Sequence, residues 1–157
     1  MTNSKVAATV VATPPDLLPY AGRTLGTSTW HTVGQEEVDL FARATGDHQW
    51  IHTDVERAGA GPFGGTIAHG YMTLSLIAPL FAEVLAVTNT SMSVNYGLNR
   101  TRFPAPVPVG SRVRLFAAVS SVEEVAGGVQ IATAVTVECD KADKPVCTAE
   151  VIFRYYN

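Results

Sequence analysis

Residues 66–85 read TIAHGYMTLSLIAPLFAEVL, which is the longest apolar stretch in the chain. Large apolar residues recur on nearly every side of the helix that this stretch would form, and a helix that is apolar all round is typical of a protein interior. We therefore expect one buried central helix over residues 66–85. Thr66 is the expected N-cap, and Pro79 should bend the axis because its ring removes one internal hydrogen bond.

After this helix the sequence changes to a period of two, which predicts strands. Turns are expected at residues 126–128 and 140–144. The last three strands place their apolar residues at odd positions throughout, so we predict an antiparallel meander with a consistent register. The alternating apolar residues are Met92, Val94 and Tyr96; Val113, Leu115, Ala117 and Val119; Val129, Ile131, Val135, Val137 and Cys139; and Cys147, Ala149, Val151, Phe153 and Tyr155.

The N-terminal half adds smaller elements around a glycine-rich loop. A short strand is predicted over residues 27–33, and a helix over residues 35–45 that ends at Gly46. Residues 47–65 form the loop, with one helical turn around residues 54–58. Together the elements predict an α+β protein with a hotdog fold, in which a long antiparallel sheet wraps around one buried helix. We divide the chain into an N-terminal tail and lead-in over residues 1–25 and a single hotdog domain over residues 26–157.

Composition excludes several classes of function. A chain of 157 residues with 46% hydrophobic residues can bury a core of its own. The net charge is −3 and no run of Lys or Arg is present, which disfavours a nucleic-acid binder. No stretch reaches the roughly 20 apolar residues that a membrane helix needs. Residues 1–12 imitate a signal peptide only loosely, and we interpret them as a loosely ordered tail of a cytoplasmic protein.

Two further features concern surfaces and thiols. Charged residues make up 16% of the chain, against about a quarter in typical proteins, so we expect part of the surface to be covered by a second copy. An uncovered sheet and helix would also leave open edges, and we predict a homodimer. Cys139 and Cys147 share one strand parity, so they are expected to face each other across two strands as reduced core thiols.

Asp47 and His52 carry the most specific chemistry, because they stand on a short loop before the start of the central helix. A carboxylate and an imidazole in such a place can move a proton to or from carbon beside a carbonyl, while a free amide at the helix start holds the negative oxygen. Taken alone, Asp47 is better interpreted as an ordinary capping or turn residue after a helix, and His52 as an ordinary loop histidine; the downstream motif at the helix start favours the catalytic interpretation of both. His69 either lines the same site or fixes the loop by a hydrogen bond. The four histidines lack a spacing typical of metal ligands, so no metal is expected.

Five motifs together resemble those of the MaoC-like dehydratases, the (R)-specific enoyl-thioester hydratases of the hotdog superfamily, and above all the single-domain 3-hydroxyacyl-thioester dehydratases of actinobacteria. The resemblance covers residues 26–155. It implies that Asp47 is the catalytic acid, that His52 is the catalytic histidine, and that the backbone amide of Gly70 binds the oxyanion. The motifs are FARATGDHQWIH at residues 41–52, GPF at 61–63, TIAHG at 66–70, NYG at 95–97 and RFPAPVPVG at 102–110.

The resemblance implies reversible hydration of trans-2-enoyl thioesters to (R)-3-hydroxyacyl thioesters. It implies no cofactor beyond the substrate's own carrier, which is coenzyme A or an acyl-carrier protein. Many relatives have Asn-Pro where this chain has Gln49-Trp50, so we expect a turn of different shape and an acyl pocket narrowed by Trp50. The further candidates for substrate binding are Gln49, Trp50, His69, Asn95, Tyr96, Arg100 and Arg102.

Several of these candidates have a second interpretation. Arg100 and Arg102 share strand parity with Arg112 and Arg114, and the four side chains either contact phosphates of the carrier or form an ordinary solvated sheet face. Asn95 and Tyr96 either contact the pantetheine arm or belong to an edge strand and a dimer contact.

Two other functions remain open from the sequence. A hotdog acyl-thioesterase would need a carboxylate on or near the central helix, where only Glu83 stands, close to the far end. A non-catalytic acyl-thioester-binding module would need neither Asp47 nor His52, so the presence of both argues against it.

Overall fold

The computed structural model describes residues 7–157. Its strands are β1 (Thr9–Val11), β2 (Thr24–Thr27), β3 (His31–Thr32), β4 (Leu85–Val87), β5 (Met92–Arg102), β6 (Arg112–Val125), β7 (Gly128–Cys139) and β8 (Cys147–Tyr156). Its helices are a 3-10 helix at Pro14–Tyr20 and α1 (Gln35–Thr45), α2 (Trp50–Thr53), α3 (Val55–Gly59), α4 (Gly70–Ser75) and α5 (Ile77–Ala82). No helix within residues 7–157 is long and apolar enough to cross a membrane.

The long strands form the predicted meander. The main sheet has the order β2-β6-β7-β8-β5, and β3 pairs with β6. Neighbouring long strands are antiparallel, with Leu115 opposite Val137 and Val137 opposite Cys147. The odd positions of β6, β7 and β8 face the core, as expected from the alternation. Helix α5 packs against that face, where the rings of Phe81 and Phe153 stack at 4.5 Å. The α+β class and the hotdog architecture are thereby confirmed.

The central helix differs from the prediction of one helix over residues 66–85. It consists of α4 and α5, which meet at Leu76, and its N-cap is His69 rather than Thr66. Pro79 accounts for the break, because a proline lacks the N–H and crowds the carbonyl four residues earlier. That carbonyl belongs to Ser75, the last residue of α4. Proline therefore divides this helix rather than merely bending it.

The prediction that this helix is buried on all sides is also wrong. Met72, Ile77 and Leu80 are buried, whereas the side chain of Tyr71 is 73% exposed. Ala78 and Pro79 are exposed as well. The sheet covers one face of the helix pair, and the other face is open in the single chain.

The N-terminal segment is more ordered than the sequence suggested. Strand β1 pairs in parallel with β4, which follows α5, and Leu17 of the 3-10 helix is fully buried. A loosely ordered tail is therefore wrong for residues 9–11, which form β1, while residues 1–6 of that prediction lie outside the described residues. The strand predicted over residues 27–33 is also wrong in its bounds, because β2 and β3 pair with β6 on either side of a short interruption.

Helix α1 has the predicted bounds. Gly46 ends it in a left-handed conformation (φ 80°), and its N–H donates to the carbonyl of Ala42. This ending turns the chain sharply, so that Asp47 begins a new segment. Helix α3 is the expected helical turn, whereas α2, which carries His52, was not predicted.

The two cysteines are free and buried, as expected for reduced core thiols. They do not face each other, because the register places Val137 opposite Cys147. Burial raises the pKa of the Cys147 thiol to about 11.

Candidate active site

Asp47, His52 and His69 come together from three segments of the chain. One carboxylate oxygen of Asp47 and one ring nitrogen of each histidine all lie within 4.8 Å of one another. Asp47 follows α1 and is exposed, whereas His52 on α2 and His69 at the N-cap of α4 are buried. The cluster therefore has a solvent-facing acid and two enclosed imidazoles.

The proton on the His52 ring has a defined position. Its Nδ1 lies 2.7 Å from the carbonyl oxygen of Ile67, and because a carbonyl only accepts, Nδ1 carries the hydrogen. Nε2 of the neutral ring then keeps its lone pair. Burial lowers the pKa of His52 below its ordinary value of 6.5, although the hydrogen bond to Ile67 and the charge of Asp47 oppose this shift. His52 is therefore a neutral base at physiological pH.

His69 combines the two roles that the sequence left open. Its Nε2–H donates to the carbonyl oxygen of Asp47 at 2.9 Å, which fixes the loop. Its ring also stacks on His52, with centroids 3.8 Å apart, and Phe41 packs on it at 4.9 Å. Nδ1 of His69 is buried and has no hydrogen-bond partner among residues 7–157.

The same three side chains form a group of the kind that can hold a metal ion, which the sequence spacing did not predict. The two rings, however, stack with an angle of 26° between their planes. Nitrogen lone pairs lie in the ring planes, and a zinc ion needs both nitrogens pointing at it from about 2.0–2.1 Å. Stacked rings do not provide that convergence, so the arrangement does not fit a metal centre.

Backbone contacts join the segment that carries His52 to the segment that leads into α4. The N–H of Ile67 donates to the carbonyl of Ile51 at 3.0 Å. Gln35 adds a side-chain bridge, because its amide contacts both the His52 carbonyl and the hydroxyl of Thr66. Nothing in the sequence singled out Gln35, since these partners lie 17 and 31 residues away.

Gly70 is the first residue of α4, and its N–H has no acceptor among residues 7–157. It follows directly on His69, whose ring touches His52. A Cβ at this position would lie 3.1 Å from the ring of Phe103, so any larger residue would need the ring or the start of α4 to shift by a few tenths of an ångström. Because α4 has only six residues, the free amide itself matters more here than the dipole of a long helix.

The substrate-binding candidates on the catalytic loop have different surroundings. The N–H of Gln49 donates to Oδ1 of Asp47 at 3.3 Å, so Gln49 shapes the turn. The indole of Trp50 lies under the guanidinium of Arg57 at 4.4 Å and against Gly61. Trp50 thus packs on the loop that contains α3.

The candidates on β5 divide between the two faces of the sheet. Asn95 lines a cavity of about 230 Å³ together with Leu74 and Phe153 on the helix side. The guanidinium of Arg154 lies over the Tyr96 ring, 3.3 Å from its centroid, and Arg154 belongs to the outward-facing positions of β8. Tyr96 is therefore on the face opposite the helices.

The four arginines also separate into pairs. Arg112 and Arg114 bind Asp140 and Glu138, at 2.8 Å each, and both guanidinium groups lie over Trp30. These two form a surface network of their own. Arg100 and Arg102 are exposed, and neither has a carboxylate within 4.0 Å among the described residues. Arg100 has a positive φ of 48°, next to an irregularity in the pairing of β5.

The carboxylate of Glu83, which a thioesterase would need, is engaged elsewhere. It accepts the N–H and the hydroxyl of Thr29, at 2.8 Å each. Glu83 caps the C-terminus of α5, at the opposite end of the helix pair from Gly70. It therefore ties the loop before β3 to the helices.

Comparisons with known proteins show which family the chain belongs to. A family model described as "MaoC like domain" matches residues 17–141. The chain is 55% identical over 141 residues to 3-hydroxyacyl-thioester dehydratase Z of Mycobacterium tuberculosis, covering 89% of this chain and 93% of that protein. It is 46% identical over 140 residues to nodulation protein N of Rhizobium leguminosarum bv. viciae, covering 87% of each. The unliganded R-hydratase of Pseudomonas aeruginosa superimposes with a TM-score of 0.67 at 25% identity, covering 87% of this chain and 82% of that one.

Proposed function

Since this chain belongs to the MaoC-like dehydratase family, we propose that it catalyses reversible hydration of trans-2-enoyl thioesters to (R)-3-hydroxyacyl thioesters. It is a hydro-lyase. The observation that carries the catalytic assignment is the neutral His52 ring, whose Nδ1–H is held by Ile67 while a ring nitrogen and the Asp47 carboxylate lie within 4.8 Å of each other. The (R) configuration rests on the family.

In the hydration direction, Asp47 and His52 hold one water molecule between them. The free Nε2 of His52 accepts a proton from this water as the oxygen bonds to C3 of the substrate. The electron pair of the C2–C3 double bond moves toward the thioester carbonyl. The proton then passes from the Asp47–His52 pair to C2, which restores the starting protonation of the enzyme. Dehydration follows the same steps in reverse.

Gly70 stabilises the charge that gathers on the thioester oxygen. Its unpaired N–H belongs to the residue that follows His69, and the His69 ring stacks on His52. A donor of this kind typically lowers the barrier by roughly 3–4 kcal/mol. The ring of Phe103 packs against Gly70 on the side where another residue would carry its Cβ.

The substrate's carrier is coenzyme A or an acyl-carrier protein, both of which present a phosphopantetheine arm. Arg100 and Arg102 support this assignment, because two exposed guanidinium groups without carboxylate partners suit a phosphate. Arg112 and Arg114, in contrast, already hold carboxylates. No further cofactor is proposed.

Crotonyl-coenzyme A tests the reaction directly. Loss of the enoyl absorbance without release of free thiol supports the hydratase, with chiral analysis of the product giving the configuration. Release of free thiol would instead indicate the thioesterase. Binding without turnover would indicate the non-catalytic module. A crotonyl-carrier-protein assay run in parallel identifies the preferred carrier.

We also propose that the protein is a homodimer that associates through β5. This strand ends the sheet order and exposes Met92, Tyr96 and Leu98 to solvent, at 53%, 55% and 46%. An uncovered edge strand with apolar side chains is a ready surface for pairing. Light scattering at micromolar concentration should give twice the mass of the chain, and Leu98→Arg should shift the mass toward the monomer. A monomeric mass for the unaltered protein would contradict the proposal.

A further inference from the structure

We infer that Gln35 is a positioning residue for the hydratase reaction, one whose side-chain amide fixes the catalytic imidazole relative to the oxyanion amide. This inference rests on the function proposed above. Gln35 is the first residue of α1 and touches neither Asp47 nor the free nitrogen of His52 in its hydrogen bonds. It acts on the segments that carry the catalytic groups.

The amide of Gln35 uses all of its hydrogen-bonding groups in defined directions. Its Nε2 donates to the His52 carbonyl at 2.7 Å and to Oδ1 of Asp39 at 2.9 Å. Its Oε1 accepts from the hydroxyl of Thr66. The carbonyl and the carboxylate can only accept, so the orientation of the amide is set by its partners.

These contacts join two segments that must keep a constant separation. One segment is α2, whose last turn bears His52, and the other runs from Thr66 to Gly70. Two further links join them, namely Ile67 N–H to Ile51 and His52 Nδ1–H to Ile67. The second of these links is made by the catalytic ring of His52. Gln35 is therefore a side chain outside the catalytic group that holds the two segments together.

Gln35 attaches both segments to a rigid support. Helix α1 is anchored in the core through Val38 and Ala42, which are fully buried. A change at Gln35 therefore loosens the active site without removing apolar packing. Misplacement of reacting groups by about 1 Å is enough to cost on the order of a hundredfold in rate.

The isosteric variant Gln35→Glu tests the inference. A carboxylate has no N–H to donate, and it would face the His52 carbonyl and the Asp39 carboxylate. We expect kcat per folded molecule to fall by about tenfold to a hundredfold, with KM within about twofold, and the thermal unfolding midpoint to fall as well because the new charge faces Asp39. A residue that merely stabilised the fold would shift the midpoint and leave kcat per folded molecule unaltered.

Gln130→Glu is the matched control. Gln130 lies on β7, where its Oε1 accepts from Nε of Arg154 at 2.9 Å, so a carboxylate keeps that contact. We expect wild-type kcat, which shows that a new acid on the surface does not reduce activity by itself.

Thr66→Val provides a second route to the same contact, should Gln35→Glu fail to fold. It removes the hydroxyl that donates to Gln35 and should lower kcat by several-fold. Because both changes break one bridge, the double variant Gln35→Met/Thr66→Val should be no slower than Gln35→Met alone. If the fall in kcat of the double variant equals the product of the falls in the two single variants, the inference is overturned. Full activity in Gln35→Glu would overturn it as well. Absence of hydratase activity in the unaltered protein would instead overturn the proposed function.

Discussion

The meander of β6, β7 and β8 and the segment from Gly46 to Gly70 are organised by different physical rules. In the meander, alternate residues are buried and each strand pairs with the next in sequence. In the catalytic segment the apolar residues follow no regular spacing. The catalytic side chains are brought together by individual hydrogen bonds, such as that from His69 to Asp47. Stability is therefore concentrated in the sheet and chemistry in the segment, and changes in each should affect different measurements.

The largest effect is expected for the core of the meander. Ile131 is fully buried on β7, and Ile131→Ala leaves a cavity that should cost about 2–5 kcal/mol in the free energy of unfolding. Urea titration measures this loss, and kcat per folded molecule should remain unchanged. Glu124→Ala, at an exposed position of β6, is the control and should change stability by less than about 0.5 kcal/mol. A selective fall in kcat for Ile131→Ala would remove the distinction between the two regions.

Asp47→Asn and His52→Gln should show the reverse pattern. Each should lower kcat at least about a hundredfold, which corresponds to about 2.7 kcal/mol of barrier. The urea midpoint should move little for Asp47→Asn, because the side chain is exposed. His48→Gln is a control in the same loop, since His48 is exposed and lies outside the cluster. Near-wild-type activity in either catalytic variant would remove that residue from the mechanism.

The same contrast separates what the sequence predicted from what it did not. The odd positions of β6 to β8 and the end of α1 at Gly46 were predictable, because periodicity and a left-handed turn are local properties. The pairing of β1 with β4 was not, because its partners are far apart in the chain. The division of the central helix at Leu76 was foreshadowed by Pro79, whose effect was underestimated.

The active site was predictable only in part. Asp47, His52 and Gly70 were identified from motifs, and the structure brings the two side chains together with His69. Trp50 and Tyr96 pack on Arg57 and Arg154, contacts that the sequence did not indicate, and their role in binding substrate stays a prediction. Gln35 was missed, because a polar residue at a helix start has no distinctive signal until its distant partners are known.

Gly70→Ala tests how closely the segment is packed around the free amide. The new methyl group would meet the Phe103 ring at 3.1 Å, and either the ring or the start of α4 must move. We expect kcat to fall about tenfold, or about 1.4 kcal/mol of barrier. Gly59→Ala is the control, because a methyl group there meets nothing within 4 Å. Equal activity of the two variants would indicate that the Gly70 amide is not held tightly.

The smallest expected effect is a shift in the pH dependence of kcat/KM. This measurement reports most directly on the proposed base, His52. The reaction needs neutral His52, so activity falls as the pH drops through the pKa of this group in the free enzyme. Burial lowers that pKa below 6.5, and the midpoint of the acid limb should therefore lie below pH 6.5. Crotonyl-pantetheine is the suitable substrate, because it carries no phosphate that titrates near pH 6.

Asp47→Asn sharpens this measurement. The charge of Asp47 raises the pKa of His52, so removing the charge should move the acid limb of the residual activity to still lower pH. A limb above pH 6.5, or one unmoved by Asp47→Asn, would mean that the titrating base is not the buried imidazole beside this carboxylate. Because the sheet contributes no group to that titration, Ile131→Ala should leave the acid limb where it is.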